Sequence, residues 1–368
     1  MQNLTTQGFV LLDVDVAALN NAGKSQSSNL ENAVATKKIR KNGRYHTYVS
    51  GQAWRYWWRN TLQKQAEWSL SPITRDDKVA FTAANPIKFD DDDIFGYMKA
   101  TKDVKLDEKG QPVKDKKGNE VKEDATVTRV SPLKNSALIS VASVQVEGDK
   151  NFSVMSRHQG DPVPYSKEEY SAVMKGMFSL DLEMVGTFAS YNKTGFKNLS
   201  QKLREEALAS GATEIADPHL PTAAGEAHKL VRLEKRIREK RATDTIAALK
   251  FINGGAMQTN NMADVTPKFI VLATMASGNH PFSHVATSFG QFEQEFRLNV
   301  EGLEEVLNDY GTQFRGKIFI GIRSGFLSDE DVEKLESLAI RFGDESIFLG
   351  PVNAAIDEYI EQLKTQIP

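Results

Sequence analysis

Apolar and polar positions alternate in different ways along this chain, and each change of period marks an element. GFVLLDVDV at 8–16 runs apolar through Leu12 and then alternates with aspartate, which predicts a buried opening strand. A polar loop, NNAGKSQSSN, follows it. At 50–66 the period becomes helical: at about 100° per residue, Trp54, Trp57, Trp58 and Leu62 share one stripe while Gln52, Arg55 and Arg59 share another. Ser50 suits the N-cap of this helix, with Gly51 beside it.

From about Ser71 to Val130 neither period is visible. DDDD at 90–93 and KDVKLDEKGQPVKDKKGNEVKE at 102–123 are charged, which predicts an insertion with a mobile tip, a hairpin around Asp115–Gly118. Order resumes with strand-like ALISVASVQVE at 137–147, a turn-rich excursion NFSVMSRHQGDPVPY, and strand-like KGMFSLDLEMVGTF at 175–188. A helix is expected at about 226–250, including HKLVRLEKRIREKR, with solvated basic residues and a stripe of Leu230, Leu233 and Ile237. A glycine-containing loop at 251–267, FINGGAMQTNNMADVTP, leads to the apolar strand KFIVLATM. Then come a helix at 299–310, a strand at 316–322, a helix at 328–342 capped by Ser328 and ended by Gly343, and a last helix at 353–366. The order up to Met275 is β, α, insertion, β, β, α, loop, β. This is the split βαβ, or ferredoxin-like, arrangement of an α+β fold, which RNA-recognition motifs share.

Charge adds a partner to this picture. The 368 residues include 46 Lys and Arg against 49 Asp and Glu, yet Lys37 to Arg59 holds seven basic residues, no acid and six aromatics. Basic residues neutralise phosphates and interleaved aromatics offer flat faces to bases, so the stretch points to a nucleic acid; an amphipathic helix with solvated arginines is the competing reading. The helix start has unpaired N–H groups that favour an anion, so Ser50, Gln52, Arg55 and Arg59, fed by the basic loop before them, form a candidate phosphate cradle. All four tryptophans lie between 54 and 68, which assigns most of them to packing.

Other signals are weaker. Gly254 and Gly255 permit close backbone approach, Met257 is a flexible apolar wedge, and Gln258 and Thr259 offer hydrogen bonds; a plain glycine turn explains the same residues. Arg157 and His158, in SRHQGDP, suit a phosphate contact or a capped surface loop. KGMFSLDL lacks the aromatic signature of an ordinary RNA-recognition motif, so any RNA contact falls to loops and edges. His280 and His284 have i, i+4 spacing, but Pro281 lies between them and no Glu follows His280, which favours a structural pair over a zinc site. Asp90 to Asp93 read as a solvated or capping run rather than a divalent-ion site. With no cysteine, disulfides, thiol catalysis and Cys-ligated zinc are excluded. The longest apolar run, Phe269 to Ala276, is too short to cross a bilayer, and the N-terminus lacks a secretory leader. A cytoplasmic protein is expected.

The opening strand, LNNAGKS, the basic stretch ending in YVSGQAWRYWWR and the Gly-rich loop before a late strand together resemble a known group. It is the DevR-like, seventh family of CRISPR-associated proteins, the crRNA-binding backbone subunit of type I Cascade surveillance complexes, with the closest likeness to the type I-B branch. The likeness runs from Gly8 to about Phe326, and its most specific element is Ser-x-Gln-x-x-[Arg/Lys]-x-x-x-Arg, here Ser50, Gln52, Arg55 and Arg59. The resemblance implies a modified RNA-recognition-motif palm, at 1–70 and 131–368, carrying Asn20, Asn21, Lys24, Lys37, Lys38, Arg40 and the four motif residues. It implies a finger insertion at 71–130 and a thumb loop at about 251–267, with Gly254, Gly255, Met257, Gln258 and Thr259 closest to RNA. Copies would line up along one crRNA, which pairs with target DNA, beside a large subunit and caps at the crRNA ends. No catalysis, cofactor or metal is implied. Two other readings stand beside it: a metal-dependent RNA-cleaving backbone subunit of the type III kind, with Asp264 as its loop aspartate, and a guide-independent single-strand binder.

Overall fold

The computed structural model describes residues 3–23, 33–76, 79–100, 102–104, 111–115, 117–144, 149–155, 163–193, 196–221, 225–290 and 295–368. In chain order, β1 (Thr5–Ala17) is followed by β2 (Lys38–Lys41), β3 (Arg44–Val49) and α1 (Gly51–Gln65). The insertion contributes α2 (Asp90–Phe95), after which come β4 (Leu133–Asn135), β5 (Leu138–Ser140), β6 (Asp149–Met155) and β7 (Val163–Asp181). Next are β8 (Thr187–Ala189), α3 (Gln201–Ala209), β9 (Thr213–Pro221), β10 (Ala227–Arg232) and α4 (Lys235–Ala247). The last third holds β11 (Phe269–Met275), α5 (Val300–Asp309), β12 (Ile318–Ile322), α6 (Asp329–Phe342), β13 (Ile347–Pro351) and α7 (Val352–Gln366).

One large mixed sheet organises the α+β architecture, in the order β13-β12-β11-β1-β7-β5-β3-β2. All neighbours are antiparallel except β12 and β13. β1 is buried on both faces, which explains its unbroken apolar run. Val10 and Leu12 face a core with Trp54, Trp58 and Tyr359 from α1 and α7, whereas Phe9 and Leu11 face Leu303 and Leu335 from α5 and α6. Gly8 lies opposite Phe178, and a Cβ there would sit 2.0 Å from the Phe178 ring. That ring packs edge-on to Trp58 at 5.1 Å between centroids. Truncating either aromatic should cost about 3–5 kcal/mol.

Three expectations change. The flanks of NFSVMSRHQGDPVPY are extended rather than irregular: Asp149–Met155 pairs antiparallel with Val163–Glu169, and the centre at 156–162 lies outside the described residues. The expected helix at 226–250 is a strand, β10, and then the shorter α4. Pairing with β8 on one side and β9 on the other holds β10 extended, so tertiary context overrides helical patterning. These three strands and α3 enclose a separate small core of Phe188, Leu199, Ala207, Val231 and Leu233. Finally, α4 is not a solvated basic helix, because Arg238 and Arg241 are buried. The insertion does form strands: Tyr97–Lys99 pairs with Val127–Arg129, and Lys102–Val104 with Lys122–Asp124. Its turn falls where expected, with the Asp115 carboxylate accepting from the Lys117 and Asn119 N–H groups at 2.8 and 2.9 Å.

Candidate nucleic-acid interface

The first half of the acid-free stretch is a hairpin rather than a loop. Lys38–Lys41 and Arg44–Val49 pair around Asn42 and Gly43, whose φ values of 50° and 80° match a two-residue primed turn. β2 is the edge of the large sheet, and Arg40 and Lys41 are exposed on it. Lys41 sits directly opposite Arg44. Like charges opposite one another destabilise a strand pair unless an anion lies between them.

The hairpin is fastened to the palm by residues read earlier as ligand contacts. Asn20 is buried; its Oδ1 accepts the Lys37 N–H at 3.0 Å and its Nδ2 donates to the Tyr48 carbonyl. Lys38 pairs with the buried Glu168 at 2.9 Å. Burial alone would raise the Glu168 carboxyl, but Lys38 and the Thr36 N–H outweigh it and hold the group below its ordinary range. Asn21 is exposed and accepts the Gly23 N–H at 2.6 Å. Lys37 is half-buried, and Lys24 lies outside the described residues.

At α1 the Ser50 side chain accepts the Ala53 N–H at 3.3 Å, and the first turn carries no acid. The helix start opens into a recess of about 480 Å³ bounded by Ser50, Gln52, Arg55, Ser131, Lys134 and Asn135. Gln52 and Lys134 are exposed there. Ser131, Lys134 and Asn135 were missed in the sequence because they lie about 80 residues from the motif and only the β4–β7 pairing brings them to it.

Arg55 bounds this recess, yet it does not point freely at a ligand. One terminal nitrogen donates to the Leu133 carbonyl (2.6 Å) and Asn135 Oδ1 (3.1 Å). The other donates to the Phe95 carbonyl and Ser131 Oγ, both at 2.8 Å. Burial, then the nearby Arg59, lowers its pKa to about 10, which leaves it charged at neutral pH. The Arg59 guanidinium lies 4.7 Å from the Phe95 ring centroid, with Nε 3.4 Å from Asp91. The expected open arginine ridge is therefore packed against α2.

The acidic run supplies Asp91 to Arg59, and it is not a solvated run. Asp91, Asp92 and Asp93 are buried, and every acid of α2 is partnered. Asp90 bonds Arg241 (2.7 Å), Asp91 the Ser71 N–H (2.8 Å), and Asp92 the Asn85 N–H (2.8 Å). Asp93 holds Arg129, Arg241 and the Gly186 N–H together. Apolar Ile94 and Phe95 directly after four acids are the helix-start signature that could have revealed this.

In the 251–267 segment the glycines do allow close approach, but to protein. A Cβ on Gly254 would lie 2.1 Å from Trp57, and Gly255 has a φ of 111° against Leu19. Met257 is half-buried with a φ of 55°. Gln258 donates to the Gly254 carbonyl, and Thr259 is exposed. Asp264 is bonded to Thr266 and to Lys268 at 2.5 Å; these bonds outweigh burial and lower its carboxyl. His280 bonds the Gly8 carbonyl at 2.9 Å, as a structural histidine does. Among the described residues no cluster of three or more His, Cys, Asp or Glu could hold a metal, and no helix is long and apolar enough to cross a membrane. Arg157 and His158 lie outside the described residues.

Residues 10–295 match the family model described as CRISPR-associated negative auto-regulator DevR/Csa2. The chain belongs to this family. Among solved structures, a chain of a "CRISPR RNA-guided surveillance complex" is similar at a TM-score of 0.50 and 10% identity, with 98% of this chain and 99% of that one covered. A chain of a "CRISPR RNA-guided surveillance complex, pre-nicking" is similar at a TM-score of 0.52 and 9% identity, covering 97% and 99%. At such identities the likeness concerns the fold. No curated protein matches the sequence.

Proposed function

We propose that this chain is the non-catalytic backbone subunit of a type I CRISPR surveillance complex, in the manner of the I-B branch. Copies of it polymerise along a crRNA in the cytoplasm, hold its phosphates and leave its bases free to pair with target DNA. A large subunit and caps at the crRNA ends complete the particle. The observation that carries this reading is the polar recess at the start of α1. There a capped helix terminus without acids meets Gln52, Lys134 and Asn135, next to an edge hairpin that presents Arg40, Lys41 and Arg44. Family membership agrees with it.

The order β11-β1-β7-β5, antiparallel throughout, supports reading the centre of the sheet as the ferredoxin-like palm. In this reading the phosphate grip belongs to the recess and the hairpin, while Arg55 holds the recess in shape. The fingers are the 71–130 insertion and the thumb is the 251–267 segment, with Thr259 and Met262 at its exposed side. The test is co-purification with a short, uniform RNA, followed by affinity measured against salt. Replacing Lys134 by Glu should weaken binding of every RNA sequence alike and lower the salt slope by about one. An unchanged slope, or RNA cut at regular intervals once Mg²⁺ is added, would sink the reading.

A further inference from the structure

The three-stranded sheet of β8, β10 and β9 commits one face to the small core and leaves the other open. Phe188 and Val231 belong to that core, so strand alternation puts Thr187, Ala189, Leu230 and Arg232 on the opposite face. These four residues line a cavity of about 390 Å³. Asp181 and Glu183, on either side of the buried Leu182, line it too, and Met184 and Phe196 add apolar surface.

Several donors around this cavity are already used. Lys193 pairs with Asp217 at 2.7 Å, and the Asn198 side chain accepts the Ala189 N–H at 2.9 Å and donates to the Thr128 carbonyl at 2.8 Å. His219 is exposed. Arg232 is half-buried and differs from them: its Nε donates to Thr187 Oγ1 at 3.2 Å, while among the described residues its terminal nitrogens make no hydrogen bond and no ion pair. The acids are unmatched in the same way. Asp181 Oδ1 accepts the Glu183 and Met184 N–H groups at 3.1 and 3.0 Å, and among the described residues neither carboxylate has a basic side chain bonded to it. Burial pulls the Arg232 guanidinium below its ordinary value, with Glu183 opposing it. Burial, then Asp181, pushes the Glu183 carboxyl up. Unlike charges thus line one cavity without touching, and each bears its desolvation unpaired.

We propose that this cavity binds a free α-amino acid with an apolar side chain. The carboxylate of the ligand bonds the terminal nitrogens of Arg232, whose planar fork suits it, and its ammonium bonds the Asp181 and Glu183 carboxylates, which only accept. The ligand's side chain rests on Met184, Phe196 and Leu230. A ligand of one sign, such as a phosphate or an aliphatic amine, would leave either the acids or the arginine unmatched. The volume lies within the usual range of small-ligand pockets, about 300–1,000 Å³. The site does not depend on the RNA reading of the recess.

The test is calorimetric titration of the full chain with L-phenylalanine, L-leucine and L-methionine in the millimolar range. At least one should bind saturably, one molecule per chain. The same skeleton without its carboxylate, or without its amino group, should bind about tenfold more weakly. Arg232→Gln should erase the penalty for the missing carboxylate and keep the penalty for the missing amino group. Glu183→Gln should shrink the second penalty and keep the first. Should a variant fail to fold, the comparison of amino acid and analogues on the parent chain still decides. No saturable binding by any of the three, or equal binding of an amino acid and both its analogues, would overturn the proposal. Penalties unchanged in both folded variants would place the amino acid elsewhere on the chain and overturn it as well.

Discussion

The two halves of the acid-free stretch carry the same kind of charge and meet opposite fates. In the first half, Arg40 and Lys41 stand on the edge strand of the sheet, exposed to solvent. In the second half, Arg55 and Arg59 are packed against Phe95, and Arg59 lies beside the buried Asp91. The difference does not lie in the stretch itself. It lies in partners some 30 to 80 residues away: Asp91 of α2 pairs with Arg59, and the Phe95 and Leu133 carbonyls hold Arg55. A local run of one sign identifies a partner only when the matching charges are not elsewhere in the same chain.

The largest effect is expected from the most buried acid of α2, which anchors the helix that Arg55 and Arg59 pack against. Asp93→Ala leaves Arg129 and Arg241 buried without their shared partner, and breaking such a pair costs about 3–5 kcal/mol. Chemical denaturation should show the loss as a lower midpoint. Arg55→Ala comes next, at about 2–3 kcal/mol, because the Leu133 and Phe95 carbonyls lose a charged donor. A loss within about 0.5 kcal/mol would mean that Arg55 is a surface residue after all.

Edge residues should behave in the reverse way. Arg40→Ala and Lys41→Ala should leave stability within about 0.5 kcal/mol of the parent. Each should nonetheless lower the salt slope of RNA binding by about one. A variant at this edge that lost stability but kept its slope would erase the distinction between the halves.

Lys38 lies between the two regimes. Glu168 is held below the ordinary glutamate value of 4.5, so its contribution is present above that value and lost as pH falls through the lower folded one. The stability gap between the parent and Lys38→Ala should therefore be widest at neutral pH and shrink below about pH 4.5. A gap independent of pH would remove Glu168 from the account. The smallest effect is expected at Met262, 83% exposed, where Ala should change stability by less than about 0.5 kcal/mol.

Much of the scaffold was legible because its signals are local. Apolar runs marked β1 and β11, and the helical stripe with Ser50 marked α1. Ser328 and Gly343 marked the ends of α6 to within a residue. The Asn42–Gly43 pair is an equally local hairpin signal, set in the middle of the basic stretch. β10 had no such signal, since HKLVR suits a helix as well as a strand until two neighbouring strands pair with it.

The sequence alone therefore determined the period of each segment, the start of α1 and the location of a charge excess. Only the tertiary structure decided which of those charges face outward and which residues complete the recess. Period and capping depend on residues a few positions apart, whereas the burial of a charge depends on carboxylates and carbonyls brought from about 30 to 150 residues away. Nothing in a local pattern encodes that distance.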